Sequence, residues 1–161
     1  MVGLMKTTNR MNLTATNANG WHGCNMRTFL NMTVFSALPK LWQNLIRTVL
    51  VRSSKGSASS EIISSADQLF LLSLAEVGMS ANTVPYKDEI DPEAEEVTFQ
   101  VYPNSAARVK RYDNGEGNAS NWWLRSPYST GSDVFTIVYQ SGSVGSMPAN
   151  SSYGVSWACC M

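Results

Sequence analysis

Asn121-Trp122-Trp123-Leu124-Arg125-Ser126-Pro127 (NWWLRSP) is the densest block of the chain, and the fold is read outward from it. Two adjacent tryptophans on a strand point to opposite faces, so at least one of Trp122 and Trp123 belongs to the core. Arg125, set among core residues, must satisfy its guanidinium donors, and a carboxylate or backbone carbonyls are the expected partners. Downstream, β-prone runs alternate with Gly/Ser turns. Val134 to Tyr139 reads as a strand, Ser141-Gly142-Ser143 as a turn and Val155 to Cys160 as a final strand.

Upstream the period changes. Met26, Phe29, Leu30, Thr33, Val34 and Ala37 recur at helical spacing from Asn25. Pro39 ends that helix and suits the first turn of a second, marked by Leu41, Trp42 and Leu45. Thr48 to Val51 is β-prone, Ser53 to Ser65 reads as a Ser-rich surface loop, and Gln68 to Ser73 as a buried strand. Gly78 to Asp91 reads as irregular. Asp91-Pro92 is a helix start with Glu93, Glu95 and Glu96 in its first turn. Asn104 to Tyr112 reads as a short helical piece closed by the turn Asp113-Asn114-Gly115. Residues 1–20, polar and rich in Thr and Asn, read as an extended segment. Helices early and antiparallel strands late make an α+β chain, and 161 residues fit one domain over 1–161.

Composition narrows the function. The chain carries twelve basic and twelve acidic residues, and a net charge of zero gives no broad positive field for a phosphate backbone, so nucleic acid is not an expected partner. No apolar run reaches the length of a membrane span, and MVGLMKTTNR lacks the apolar core of a signal peptide. The expectation is a soluble chain made in a cytoplasm, without membrane insertion, with display on a particle or cell surface as its route outside. Three cysteines, two of them adjacent, do not form a disulfide framework, and Cys24, Cys159 and Cys160 read as buried reduced thiols.

Catalytic chemistry is sparse. The single His22 has no ligand-spaced partner and reads as a structural or surface residue. No Gly-x-Ser-x-Gly elbow, Walker A loop or dinucleotide fingerprint occurs. The acidic run Asp88 to Glu96 lacks the alternating ligands and central glycine of a calcium loop and reads as a solvated helix start. Arg108, Lys110 and Arg111 read as a solvated helix face. No metal, no cofactor and no enzymatic activity are expected.

The order WHGCNMRTFLN, FSALPKLWQNLI, ADQLFLLSLAEV, NWWLRSP and YGVSWACC spans nearly the whole chain. It resembles a domain of unknown function from gut bacteria and their phages, a branch of the C-type-lectin fold close to formylglycine-generating enzyme. Some members are variable proteins of diversity-generating retroelements, as is the phage major tropism determinant. Members usually close with Gly-Val-Arg-Pro. Here Gly154 and Val155 match, while Ser156 and Trp157 replace Arg and Pro. The resemblance implies a C-type-lectin fold, with early helices on a small antiparallel sheet and C-terminal β-hairpins. It also implies a ligand-binding region over residues 122–161, diversified inside roughly Tyr128 to Trp157. Neither the metal-binding motifs of sugar-binding lectins nor the cysteine pair of the enzyme is present, so neither activity is carried over.

The residues themselves support a binding surface there. Tyr128, Ser129, Thr130, Ser132, Asp133, Phe135, Tyr139, Gln140, Ser146, Asn150, Ser151, Tyr153, Ser156 and Trp157 combine rigid aromatic anchors with small hydrogen-bonding groups, the vocabulary of a paratope. Trp122, Trp123, Arg125, Pro127 and Gly154 would be the fixed scaffold. The expected function is non-catalytic binding of a protein or cell-surface receptor, phage- or prophage-encoded. The alternatives are a structural or assembly module with a fixed partner, and an enzyme of the formylglycine-generating type.

Overall fold

The chain order of elements is β1 (Asn9–Arg10), α1 (Gly20–Gly23), α2 (Asn25–Thr28), a π-helical stretch (Phe29–Val34), α3 (Phe35–Ala37), α4 (Lys40–Leu45), β2 (Val49–Ser54), β3 (Ile62–Asp67), β4 (Phe70–Leu71), α5 (Ser105–Arg108), β5 (Trp122–Pro127), β6 (Val134–Val138), β7 (Val144–Pro148), β8 (Ser152–Tyr153) and β9 (Trp157–Ala158). The structure, a computed structural model, describes residues 4–5, 8–59, 61–79, 99–112, 117–128 and 130–161. The expected helix at Asp91-Pro92, the turn at Asp113-Asn114-Gly115 and Ser129 lie outside the described residues. The class is α+β, with small antiparallel sheets: β5-β6-β7, and the pairs β1-β8, β2-β3 and β4-β9.

Strand β5 is the axis of the fold. All six of its residues are buried, so both faces are covered and both tryptophans are core. On one side the Trp122 indole donates to the Arg108 carbonyl at 3.1 Å; on the other the Trp123 indole donates to the Asn9 carbonyl at 2.8 Å and meets the Tyr153 ring edge-on at 5.1 Å. Pairing with β6 shifts register between Trp123 and Pro127. In that irregularity the Arg125 N–H bonds to the Leu72 carbonyl instead of to β6. The Arg125 guanidinium has both expected kinds of partner. It pairs with Glu76 at 2.6 and 3.1 Å and donates to the carbonyls of Leu71 (2.9 Å) and Arg52 (3.1 Å). Glu76 is itself fixed by a reciprocal cap: the Ser73 N–H donates to its carboxylate and the Glu76 N–H donates to the Ser73 hydroxyl.

The helix from Asn25 forms, capped by the Cys24 sulfur, which accepts from the Arg27 N–H. Its apolar face departs from the regular spacing. Met26 and Leu30 are buried and Val34 half-buried, whereas Thr33 and Ala37 are exposed. The wide π turn between Phe29 and Val34 shifts the inward face to four-residue steps. Asn31 on that turn clamps the entry to β4: its side chain accepts from the N–H groups of Gln68 and Leu69 and donates to the Leu69 carbonyl. Leu38 leaves the helix in an extended conformation and Pro39 opens α4, as expected. However, Leu41, Trp42 and Leu45 of α4 are exposed.

Residues 53–65 are mostly a hairpin, with β2 and β3 paired from Val49↔Asp67 to Ser54↔Ile62. Only the tip remains a loop, because Ser53, Ser54 and Ser65 are buried positions whose hydroxyls bond inward. The turn at Gly142 forms and docks on α5. Gly142 has φ +82°, a Cβ there would lie 1.8 Å from the Ser105 carbonyl oxygen, and its own carbonyl accepts from Arg108. Arg108 and Lys110 are therefore buried, not a solvated face; of the three basic residues only Arg111 is exposed.

Candidate functional site

The candidate residues occupy four places rather than one. Thr130, Ser132, Asp133 and Asn150 are exposed, with Tyr128 and Ser151 half-buried beside them, at the end of the β6-β7 hairpin where the strands begin and finish. Tyr139 and Gln140 sit at the turn end, about 16 Å away by the rise of a five-residue strand. There they border a shallow depression of about 500 Å³ with Ser120, Asn121 and Tyr153. Ser146 is half-buried in mid-β7, opposite Thr136. Trp157 lies in β9, paired with Leu71 on a separate part of the molecule.

Two of the fourteen are corrected. Phe135 is fully buried, because central strand β6 is covered on both faces and strand alternation does not carry this ring outward. Ser156 is 1% exposed, and its hydroxyl accepts a hydrogen bond from Lys110. Neither side chain is presented to a ligand. The scaffold residues Trp122, Trp123, Arg125, Pro127 and Gly154 are all buried.

What holds the first group was missed by the sequence reading. Asn17, fully buried in the polar N-terminal segment, donates its amide to the carbonyls of Gly131 (2.8 Å) and Val134 (2.9 Å) and accepts from the Ser57 N–H at 2.7 Å. Its backbone N–H bonds to the Ser132 carbonyl at 2.9 Å, and the Asn12 N–H bonds to the Ala149 carbonyl at 2.9 Å. One strap, residues 12–17, thus fixes both connections that carry the exposed polar residues. No local pattern marks it, since an asparagine bonding to backbone 114 and 117 residues away leaves no periodicity. Asn17→Ala removes these bonds and strands partly buried carbonyls, so a loss of about 1–3 kcal/mol is expected. Amide exchange across residues 130–134 should accelerate more than across β2-β3. Uniform acceleration would mean that Asn17 is merely one more core contact.

A second concavity lies on the opposite side of β5. It is a groove of about 570 Å³ lined by Leu38, Trp42, Phe99, Tyr102, Trp157 and Met161, among other residues, with Lys110 in its wall. Lys110 is 7% exposed, with Nζ 4.4 Å from the centre of the Trp122 ring and 5.7 Å from that of Tyr102. Burial pushes its pKa down to about 8. Burial likewise pushes the Tyr102 hydroxyl up, and the Cys159 thiol up with a further push from neighbouring Cys160.

The cysteines differ from expectation in one respect. Cys24 is buried, and loss of solvent pushes its thiol up to about 12, so it is inert at neutral pH. Cys159 is half-buried and Cys160 is exposed. His22 is at the surface. Among the described residues no three His, Cys, Asp or Glu side chains gather at metal-binding range, and no helix is long and apolar enough to cross a membrane.

No curated protein and no solved structure matches the chain significantly. A family profile does, over residues 4–161, so the chain belongs to the family described as Domain of unknown function (DUF6273).

Proposed function

We propose that this chain is a non-catalytic binding protein of the C-type-lectin type that recognises a protein or cell-surface receptor through the connections at one end of its β6-β7 hairpin. In this reading it is the variable protein of a phage- or prophage-borne diversity-generating retroelement. The observation that carries the proposal is the separation of frame from surface. Strand β5 is wholly buried and Asn17 holds the backbone of residues 131–134 from below, while Thr130, Ser132, Asp133 and Asn150 project into solvent. Side chains that make no contribution to the core can be exchanged at little cost in stability, typically within about 0.5 kcal/mol each. A surface rewritten by mutagenesis needs that property, and small polar groups flanked by aromatic Tyr128 supply adaptable contacts around an anchor.

Sequencing the 3′ end of the gene across a natural population tests it. Substitutions should concentrate at Tyr128, Thr130, Ser132, Asp133, Asn150 and Ser151, and spare Trp122 to Pro127, Phe135 and Ser156. A uniform tail, or changes spread equally over buried and exposed positions, would overturn the reading.

A further inference from the structure

We propose that the groove between α4, the Phe99–Tyr102 turn and β9 is a second binding site, one that takes an organic carboxylate with an apolar body and pairs its carboxylate with Lys110. This inference is independent of any diversification of the tail.

Three observations support it. The first is size and character. About 570 Å³ of concavity walled by Leu38, Trp42, Phe99, Trp157 and Met161 lies within the range of small-molecule sites, which are apolar with a few placed polar groups. The second is that four of the nine large apolar side chains exposed among the described residues, Trp42, Phe99, Val101 and Met161, line this groove. Trp42 is 45% exposed, Phe99 37% and Met161 66%, and an apolar body in the groove would cover them. The third is the cation. An ammonium is rarely buried without a counter-ion. Lys110 is buried, yet no carboxylate among the described residues pairs with it. Its contacts are the Ser156 hydroxyl and the faces of Trp122 and Tyr102. An ammonium has three donors, and Ser156 takes one. A carboxylate arriving from the groove would supply the missing acceptor and the missing charge together. The groove would hold the apolar remainder, so the preference is for ligands with both features.

The test uses the intact chain and decanoate as probe, with decanol and decyltrimethylammonium as controls of equal chain length. Binding is read by the fluorescence of Trp42 and Trp157, which line the groove. Decanoate should bind about tenfold or more tightly than decanol, and the cationic control more weakly than either. Lys110→Met should reduce decanoate to the level of decanol while leaving decanol binding intact.

Because Lys110 is packed against Trp122, the unmodified chain provides a second arm. Decanoate is ionised throughout, so its advantage over decanol should disappear as pH rises from about 7 to about 9 and Lys110, at about 8, loses its proton. Of the other titratable groups around it, Tyr102 and Cys159 are both pushed upward from ordinary values of 10.0 and 9.0, and the guanidinium groups of Arg108 and Arg111 are its neighbours in sequence. The window therefore belongs to Lys110. Equal binding of decanoate and decanol at about pH 7 would overturn the proposal, as would no binding of either. An advantage that persists in a folded Lys110→Met chain, or unchanged above about pH 9, would overturn it too.

Discussion

Replacing Arg125 by methionine should lower the stability of the chain by about 3–5 kcal/mol, the usual cost of breaking a buried pair from one side. Arg125 and Glu76 side chains are 7% and 14% exposed, so the carboxylate left behind cannot recover its hydration. The guanidinium also satisfies the carbonyls of Leu71 and Arg52, which belong to separate strands. One side chain on β5 thus ties the β2-β3 hairpin, the end of β4 and the capped turn at Ser73 to Glu76. Glu76→Met should cost a similar amount, by leaving the cation unpaired and opening the cap at Ser73. The double variant should lose clearly less than the sum, because each single change includes the penalty of the partner it strands. Urea unfolding of the four proteins measures the coupling. Additive losses would show that the pair is not the tie described. Lysine at position 125 should fail to rescue, since it cannot span the carboxylate and two carbonyls with one fixed fork.

The second large effect is expected at Asp67. Its side chain is fully buried, and its two oxygens are taken by three donors: the Trp21 indole at 2.8 Å, the Ser65 hydroxyl at 2.7 Å and Arg27 Nε at 2.6 Å. Asp67→Ala strands all three, two of them in the core, and should cost about 3–5 kcal/mol. Asp67→Asn tests the account more sharply. An amide keeps the shape but turns one acceptor into a donor. Whichever way it lies, its NH₂ meets either Arg27 or the Trp21 and Ser65 donors. Asparagine should therefore recover less than half of the loss seen with alanine. Thermal melts followed by near-ultraviolet circular dichroism, which reports the packing of Trp21, will show it. Full recovery by asparagine would mean that shape, and not charge-assisted acceptance, is what position 67 supplies.

The sequence by itself determined the elements whose signal is local. The Asn25 helix, its end at Pro39, the turn at Gly142 and strand β5 with a tethered arginine are all written in neighbouring residues, through apolar period, proline geometry and the conformational freedom of glycine. Tertiary structure decided the rest. Glu76 as the partner of Arg125, Asn17 as the clamp of the 131–134 connection and Asp67 as the hub for Trp21 are contacts across 46 to 117 residues, and hydrogen bonds of that reach impose no pattern along the chain. Composition also misled at Phe135, an aromatic among small polar residues that reads as a binding anchor. Strand β6 lies inside a sheet covered on both sides, so this ring is core. Charge misled in the same way at Arg108 and Lys110. A basic run is ordinarily solvated, and only the docking of α5 against the Gly142 turn and Trp122 puts these two cations inside. The local code sets which residues can form a strand or a helix. Which of their faces is left for solvent, and so for a ligand, is fixed by the layers that later pack against them.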